Sequence, residues 1–463
     1  MAHDNVEPLY DDVVIAILKQ QGIPICYAPR NLYQTSSLYD ALERYDPECA
    51  NFVDFQDPDV RAGRNFAFRC FAKQPGQAFL KPVRLDGPPS LVYRLLNVNG
   101  KASAGLTAYG QSKAEAFSTA MRKVPEVLRG KAPDPCLAGC RTQAGKFGRL
   151  VWMYPYVMTL IEGSLARPLI DHFLRSQSTT MAFGLRSAKM GAGLRGAASH
   201  NDYYVSIDAS KFDTTIAAGV IRSAFSCFRT WFDPNDEVGF GATVSDVFDL
   251  IEDYFIHTPI VMPSVDGAKL YTGKRHGVPS GSYYTQLVDS FANTAMVGAL
   301  DHAFHLGIQR HEVWVLGDDM LFFTRKVPQL STYATFLKDK FGMNINVSKS
   351  LAGPASGELH FLGRVWLNGL PFRNFEDVVS RAVAPESYRR YGDKSNEAKM
   401  VLWSYRNSAF IRGAPPNFYL SLPYVHVDVQ EYHTGYMEFL AKERLLSSQP
   451  SDTQIGRASC RER

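Results

Sequence analysis

Two apolar runs meet at a polar break in the second half of the chain. Val313–Leu316 and Met320–Phe323 flank Gly317-Asp318-Asp319. Apolar run, tight turn, apolar run predicts a β-hairpin with its turn at the Asp pair. Val205-Ser206-Ile207 alternates as a strand and stops at Asp208, and Lys211-Phe212-Asp213 turns into a helix. Leu150–Tyr154 is a further strand, Phe361–Trp366 a further hairpin, and Asn344–Ser350 a strand that ends on a lysine. Helical spacing marks Asp11–Leu18 (Val13, Val14, Ile17, Leu18) and Leu330–Phe341 (Leu330, Ala334, Leu337, Phe341). A short helix capped by Ser36 carries Leu38, Leu42 and Tyr45. Gly277-Val278-Pro279-Ser280-Gly281-Ser282 is a loop that enters a helix on which Thr285, Asp289 and Asn293 share one face. Short polar groups repeated on one face predict a groove wall. The chain to about Leu446 reads as helical and aromatic, broken at Pro415-Pro416.

Composition changes this picture only at its edges. A chain of 463 residues holds two or three subdomains. Hydrophobic content of 45% and charged content of 21% describe an ordinary globular protein. Seven cysteines without paired spacing argue against a disulfide framework and for a reducing compartment. Cys136 and Cys140 lack the second Cys/His pair of a zinc site. The polar, acidic start carries no signal-peptide pattern, and no apolar run is long enough to span a membrane. Ile455–Arg463 reads as translated sequencing adapter, so 454–463 is left out of fold reasoning. Three of the 50 basic residues and one of the 46 acidic ones go with it, leaving 47 against 45. Global charge is then nearly neutral, and local patches must carry any case for a polyanionic partner.

One such patch runs from Arg122 to Arg149. Arg122, Lys123, Arg129, Lys131, Arg141, Lys146 and Arg149 face only Glu126 and Asp134. On a loop entering the 150–154 strand, Arg141, Lys146 and Arg149 can grip phosphate oxygens; a solvated basic face is the plainer reading. Ser103-Ala104-Gly105-Leu106-Thr107 is a small loop over which a backbone can approach a polyanion, or a plain turn. The adjacent carboxylates of Asp318 and Asp319 repel unless a cation lies between them. Asp208 and the Asp pair, at the ends of neighbouring strands, can hold two divalent ions and clamp an in-line phosphoryl displacement. Magnesium suits such a site, since it binds through few carboxylates plus substrate phosphates.

Taken in order, these stretches resemble the motifs of a viral RNA-directed RNA polymerase. Ser103–Leu106 looks like the loop that admits the template, and Arg141–Arg149 like the basic motif of the nucleotide channel. Asp208-x4-Asp213 resembles the first palm motif, Ser280-Gly281 through Asn293 the second, and Gly317-Asp318-Asp319 the third. Lys349, 31 residues after Asp318, stands where the palm's general-acid lysine is expected, and Phe361–Arg364 resembles the primer-grip hairpin. The wording of the second motif is most similar to partitiviruses, with picobirnaviruses as close relatives. Met320 stands where Ser is common in the group, and Thr107 where Pro is often found; neither touches the metal chemistry.

The resemblance implies an α+β right hand of fingers, palm and thumb, with an antiparallel palm sheet packed on helices. It divides the chain into an N-terminal arm bridging fingers and thumb (1–100), fingers (101–200 and an insertion at 233–272), palm (201–232 and 273–365) and thumb (366–453). It implies RNA-directed RNA synthesis by a double-stranded RNA virus, with Mg2+ (Mn2+ able to substitute) held by Asp208, Asp318, the Ala209 carbonyl and, secondarily, Asp319. Arg141, Lys146 and Arg149 then neutralise the triphosphate and Lys349 protonates the leaving pyrophosphate. Asp213 and Asn293 read the ribose, oriented by Ser280 and Thr285. The partners implied are an RNA template and nascent strand, nucleoside triphosphates and the viral capsid protein, in the host cytoplasm inside the virion. A reverse transcriptase shares the palm and metals but places a bulky aromatic near Asp213. A non-catalytic virion protein has no reason to keep these motifs in this order.

Overall fold

The structure is a computed structural model that describes residues 10–27, 35–143, 146–185, 187–385, 391, 394–407 and 409–420. At its centre is a four-stranded antiparallel sheet in the order Leu351–Pro354, Tyr203–Asp208, Asp319–Thr324, Val313–Leu316. The period of two along each strand divides its side chains between two cores. Val205, Ile207, Met320, Phe322, Val313 and Val315 point into the main core. Tyr204, Leu321 and Phe323 point the other way, onto Phe361, Trp366, Met190 and Leu194. A sheet covered on both faces fixes register firmly, because a one-residue slip would exchange the two sets.

The helix Thr285–Phe304 lies in the main core and is buried on every side from Leu287 to Leu300. Helix Pro58–Phe71 crosses it closely. A Cβ on Gly63 would stand 2.2 Å from Ala295 O, and one on Gly298 would stand 2.5 Å from Phe66 Cβ. Pro58 occupies the first turn of that helix, and Asp57 caps it by accepting from Asp59 and Val60 N–H.

A second sheet runs Lys146–Met153, Cys136–Gln143, Ile260–Ser264, Gly267–Tyr271. The 233–272 insertion thus contributes two strands to the sheet of the preceding segment, joining it in parallel at Cys136–Ile260. A third sheet pairs Leu359–Phe361, Arg364–Leu367 and Leu370–Asn374, with Phe410–Arg412 added in parallel. A separate core unites Val14, Ile17 and Leu18 of helix Asp12–Gln20 with Val378, Val379, Leu402 and Ile411.

Four sequence expectations need correction. The second helix begins at Thr35, which puts Ser36 inside its first turn. Arg141, Lys146 and Arg149 are not on a loop. They lie in a hairpin of Cys136–Gln143 with Lys146–Met153, where pairing to a strong strand overrides the weak strand propensity of Ala138-Gly139-Cys140. The Gly-Asp-Asp turn is Gly317-Asp318, with Asp319 already in the strand. Asn344–Ser350 is not a strand. Only Ile345 bridges, to Ala209, and 347–349 is a turn. Asn346 holds that turn: its carbonyl accepts Lys349 and Ser350 N–H, and its side chain accepts the Ser348 hydroxyl. The strand follows at Leu351–Pro354. Residues 421–463, the last third of the expected thumb and the adapter segment, lie outside the described residues.

Candidate active site

Asp208 is the last residue of its strand and Asp319 the first of the next, and the ladder sets them directly opposite each other. Leu316 pairs with Asp319 on the far side, so Gly317-Asp318 is a two-residue turn with Gly317 at φ +60°. Glycine takes that backbone region without strain. All three carboxylates are exposed at the same end of the sheet. Like charges opposite each other on a sheet are unfavourable, so the arrangement calls for a cation.

The backbone beneath them is held from behind. Asp208 N–H donates to Ser350 Oγ at 3.0 Å, and Asn346 N–H to Asp208 O at 2.8 Å. Ser210 N–H donates to Asn344 O at 2.8 Å. This bridge uses Ser210 N–H and Asp208 C=O, leaving the Ala209 carbonyl outside it. The turn is gripped by the buried helix: Gly317 N–H donates to Ser290 Oγ at 3.3 Å, and Asn293 Nδ2 donates to Gly317 O. The donor set is therefore oxygen throughout, carboxylates plus one carbonyl, which fits a hard ion such as Mg2+ or Mn2+. Among the described residues no three His, Cys, Asp or Glu side chains converge into a ready-made metal cluster. Magnesium is commonly held by one or two carboxylates with phosphate oxygens supplying the rest.

Asp213 sits in a single helical turn, Phe212–Thr215, behind Lys211 in the left-handed region. Its carboxylate pairs with Arg149 at 3.5 Å. Burial pushes its pKa up to about 6; Arg149 opposes that shift and Asp318 adds to it. Arg141 faces Arg149 directly across the hairpin and both are exposed. Two guanidinium groups facing each other make a natural seat for a polyanion. The Lys146 backbone opens the second strand, opposite Gln143; its side chain lies outside the described residues.

Ser280 and Thr285 both bond to backbone at the loop. Ser280 Oγ accepts from Trp152 N–H at 3.2 Å, and Thr285 Oγ1 donates to Pro279 O at 2.6 Å. Val278 N–H bonds Asp213 O at 2.7 Å, which ties this loop to the Asp213 turn. Asn293 is fully buried and its amide is given to Gly317, which leaves Oδ1 without a partner. Asp289, one turn earlier, is 3% exposed, and its Oδ1 also lacks a partner. Burial pushes its pKa well above the carboxylate range, reinforced by Asp213 and Asp318. Sequence reading placed Asp289 only on the polar face. The spacing Thr285-x3-Asp289 was the available signal, but its orphaned oxygen is a property of the folded state. Lys349 is exposed, one residue before the Ser350 that supports Asp208.

The sheet, the buried helix and the carboxylate end define a polymerase palm. The description "Viral RNA-dependent RNA polymerase" belongs to the family model that matches residues 143–404, and the chain belongs to that family. It is 29% identical over 165 residues to the RNA-directed RNA polymerase of Atkinsonella hypoxylon virus (isolate 2H), covering 34% of this chain and 24% of that protein. It is 29% identical over 232 residues to that of Cryptosporidium parvum virus 1 (strain KSU-1), covering 47% of this chain and 41% of that protein. The matches thus span less than half the length of either curated relative. The fold matches the RNA-dependent RNA polymerase of a human picobirnavirus with a TM-score of 0.62 at 14% identity, over 99% of this chain and 89% of that one. The sicinivirus RNA-dependent RNA polymerase matches with a TM-score of 0.65 at 13% identity, over 99% and 97%. The fold is accordingly α+β, of the right-hand polymerase kind.

Proposed function

We propose that the chain synthesises RNA on an RNA template, replicating and transcribing the genome of a double-stranded RNA virus. The observation that carries this reading is Asp208 opposite Asp319 in register, with Asp318 in the adjoining turn and the Arg149–Asp213 pair alongside. Asp208 and Asp318, with the Ala209 carbonyl and secondarily Asp319, hold Mg2+, with Mn2+ able to substitute. Held there, such ions would supply Lewis acidity to the attacking 3′-hydroxyl and the leaving pyrophosphate. Arg149, Arg141 and Lys146 receive the triphosphate, and as Arg149 turns to it Asp213 is released toward the ribose. Lys349 delivers a proton to the pyrophosphate. Asp213, with the orphaned oxygens of Asp289 and Asn293, sorts ribose from deoxyribose.

The wider reading keeps the division expected from the motifs: arm 1–100, fingers 101–200 and 233–272, palm 201–232 and 273–365, thumb 366–453. Contacts of residues 10–45 with both the 375–418 core and the fingers sheet support the bridging arm. Template, nascent strand and nucleoside triphosphates are the substrates, and the viral capsid protein is the partner, inside a virion in the host cytoplasm. No described helix is long and apolar enough to cross a membrane. The test is incorporation of labelled nucleotide on a primed RNA template with Mg2+. Wild-type extension that EDTA abolishes and Mn2+ restores supports the reading, whereas a well-folded chain inert under all these conditions overturns it.

A further inference from the structure

One stretch of chain, Trp152–Glu162, carries both loops that the proposed reaction must hold in register. The template-side loop rests on it. Tyr156 N–H donates to Ala104 O at 3.2 Å, and a Cβ on Gly105 would stand 2.9 Å from Tyr154 O. The loop of the second motif rests on it as well. Trp152 N–H donates to Ser280 Oγ, and a Cβ on Gly281 would stand 1.8 Å from Trp152 O. Two glycines thus lie against carbonyls two residues apart on the same segment.

Glu162 lies further along, in helix Tyr156–Ser176, among residues buried without a break from Tyr156 to Ala166. An aliphatic side chain is what such a position ordinarily holds. Its carboxylate instead accepts Ser282 Oγ–H at 2.8 Å and Tyr283 N–H at 2.9 Å, the two residues that follow Ser280-Gly281. Ser282 Oγ in turn accepts Tyr284 N–H at 3.0 Å, at the mouth of the helix that carries Asp289 and Asn293. On the template side, Lys113 opens helix Lys113–Leu128 and sits 5.7 Å over the Tyr156 ring; burial raises the Glu162 pKa and outweighs the opposing pull of Lys113. A buried carboxyl is costly unless its bonds repay desolvation, and here the bonds from Ser282 and Tyr283 come from one loop.

We propose that Glu162 is a positioning residue that fixes Ser282 and Tyr283 against the shared segment, so that nucleotide selection at the second-motif loop stays registered to the template-side loop. This rests on the polymerase reading. The test is steady-state incorporation of ATP and dATP on a primed RNA template by wild type, Glu162→Ala, Glu162→Gln and Ser282→Ala. Loss of the two bonds that Glu162 accepts should raise KM for ATP about tenfold in Glu162→Ala, with kcat within about threefold, and lower the ATP/dATP preference. Glu162→Gln still offers Tyr283 an acceptor and should stay within about threefold of wild type in KM. Ser282→Ala removes the hydroxyl that bonds Glu162, and with it the acceptor of Tyr284 N–H, without opening the core, so it gives the same signs even where Glu162→Ala does not fold. Normal wild-type incorporation with KM and sugar preference unmoved in Ser282→Ala and in folded Glu162→Ala, or with only kcat reduced, overturns the role of Glu162. A folded wild type that incorporates nothing overturns the polymerase reading itself, and this role with it.

Discussion

At the scale of single residues, the site is a balance of carboxylates that differ in exposure. Asp208, Asp318 and Asp319 are open to solvent, whereas Asp213 and Asp289 are drawn into the protein and biased toward their neutral forms. Asp318→Asn removes charge but not volume. It should lower incorporation by roughly 10³-fold or more, each tenfold being about 1.4 kcal/mol, at an unchanged melting temperature. Near-normal turnover would remove Asp318 from the metal site. Lys349→Leu should slow incorporation about 10²–10⁴-fold and delete one ionisation from the pH–rate profile; an intact profile would leave the lysine only its turn. The two proposed ribose readers are held differently. Asn293 gives its amide to Gly317, so Asn293→Ala should loosen the catalytic turn and depress kcat as well as sugar preference. Asp289 holds no such bond through Oδ1. Asp289→Ala should therefore erode the ATP/dATP ratio of kcat/KM by about 1–3 kcal/mol with less effect on kcat. A ratio that stays put in both variants would show that neither residue reads the 2′-hydroxyl. The placing of Asp318 and Asp319 at a strand end was legible in the sequence, because adjacent acids between two apolar runs mark a hairpin turn. The partnership of Asn293 with Gly317 was not, because residues 24 apart in sequence are joined only by the packing of the helix under the hairpin.

At the scale of elements, periodicity was a good guide where each face of an element met a single environment. Leu330–Phe341 and the Asp208 strand follow it closely. It failed at Asn344–Ser350, where side chains that bond their own backbone draw the chain into a turn. Buried charges at element junctions were also invisible to it. Lys274 donates to Phe255 O at 2.7 Å and Ile256 O at 3.0 Å, closing the end of helix Val244–Ile256 beneath Tyr45 and Trp152. Burial brings its pKa down to about 7, while burial takes Glu162 up to about 8. The signs follow from proton counts. Above the ordinary carboxyl range and up to about 8, folded Glu162 holds a proton that the unfolded chain has lost, so its contribution to stability fades as pH rises through that window. Between about 7 and the ordinary lysine range the folded Lys274 binds fewer protons than the unfolded chain, so its contribution grows with pH. Lys113 faces Glu162 as a cation, and the remaining titratable neighbours, Tyr154, Tyr254, Tyr283, Tyr284 and Cys136, are driven toward their neutral forms. Denaturant midpoints should therefore fall from pH 5 to 8 more steeply in wild type than in Glu162→Gln. Parallel curves would mean that Glu162 titrates normally in the fold.

At the scale of the whole molecule, the N-terminal region ties distant parts together. Helix Asp12–Gln20 is capped by Asp11, whose side chain accepts Val14 N–H and whose backbone N–H donates to Val383 O at 2.8 Å. Its apolar face completes a core otherwise built from 375–418, and Leu18 there is fully buried. Some twenty residues on, Tyr39 OH donates to Pro263 O at 2.7 Å and Tyr45 OH to Val278 O at 3.0 Å, one in the sheet of Cys136–Gln143 and Ile260–Ser264 and one in the Gly277–Ser282 loop. Sequence periodicity gave the helix but not its destination, since an amphipathic face says that something covers it without saying what. If this arm holds the 375–418 region to the fingers, weakening its far end should loosen that region while leaving the catalytic carboxylates in place. Leu18→Ala removes a fully buried side chain and should cost about 2–5 kcal/mol within that core. Hydrogen exchange should then quicken across Phe375–Val383 and Lys394–Asn407 and stay at wild-type rates in Tyr203–Asp208 and Asp319–Thr324. Single-nucleotide kcat/KM should change little, while products of multi-nucleotide extension shorten as the enzyme releases its RNA more often. Faster exchange in the palm strands, or full-length products at the wild-type yield, would show that the helix packs locally and carries no load between the two ends.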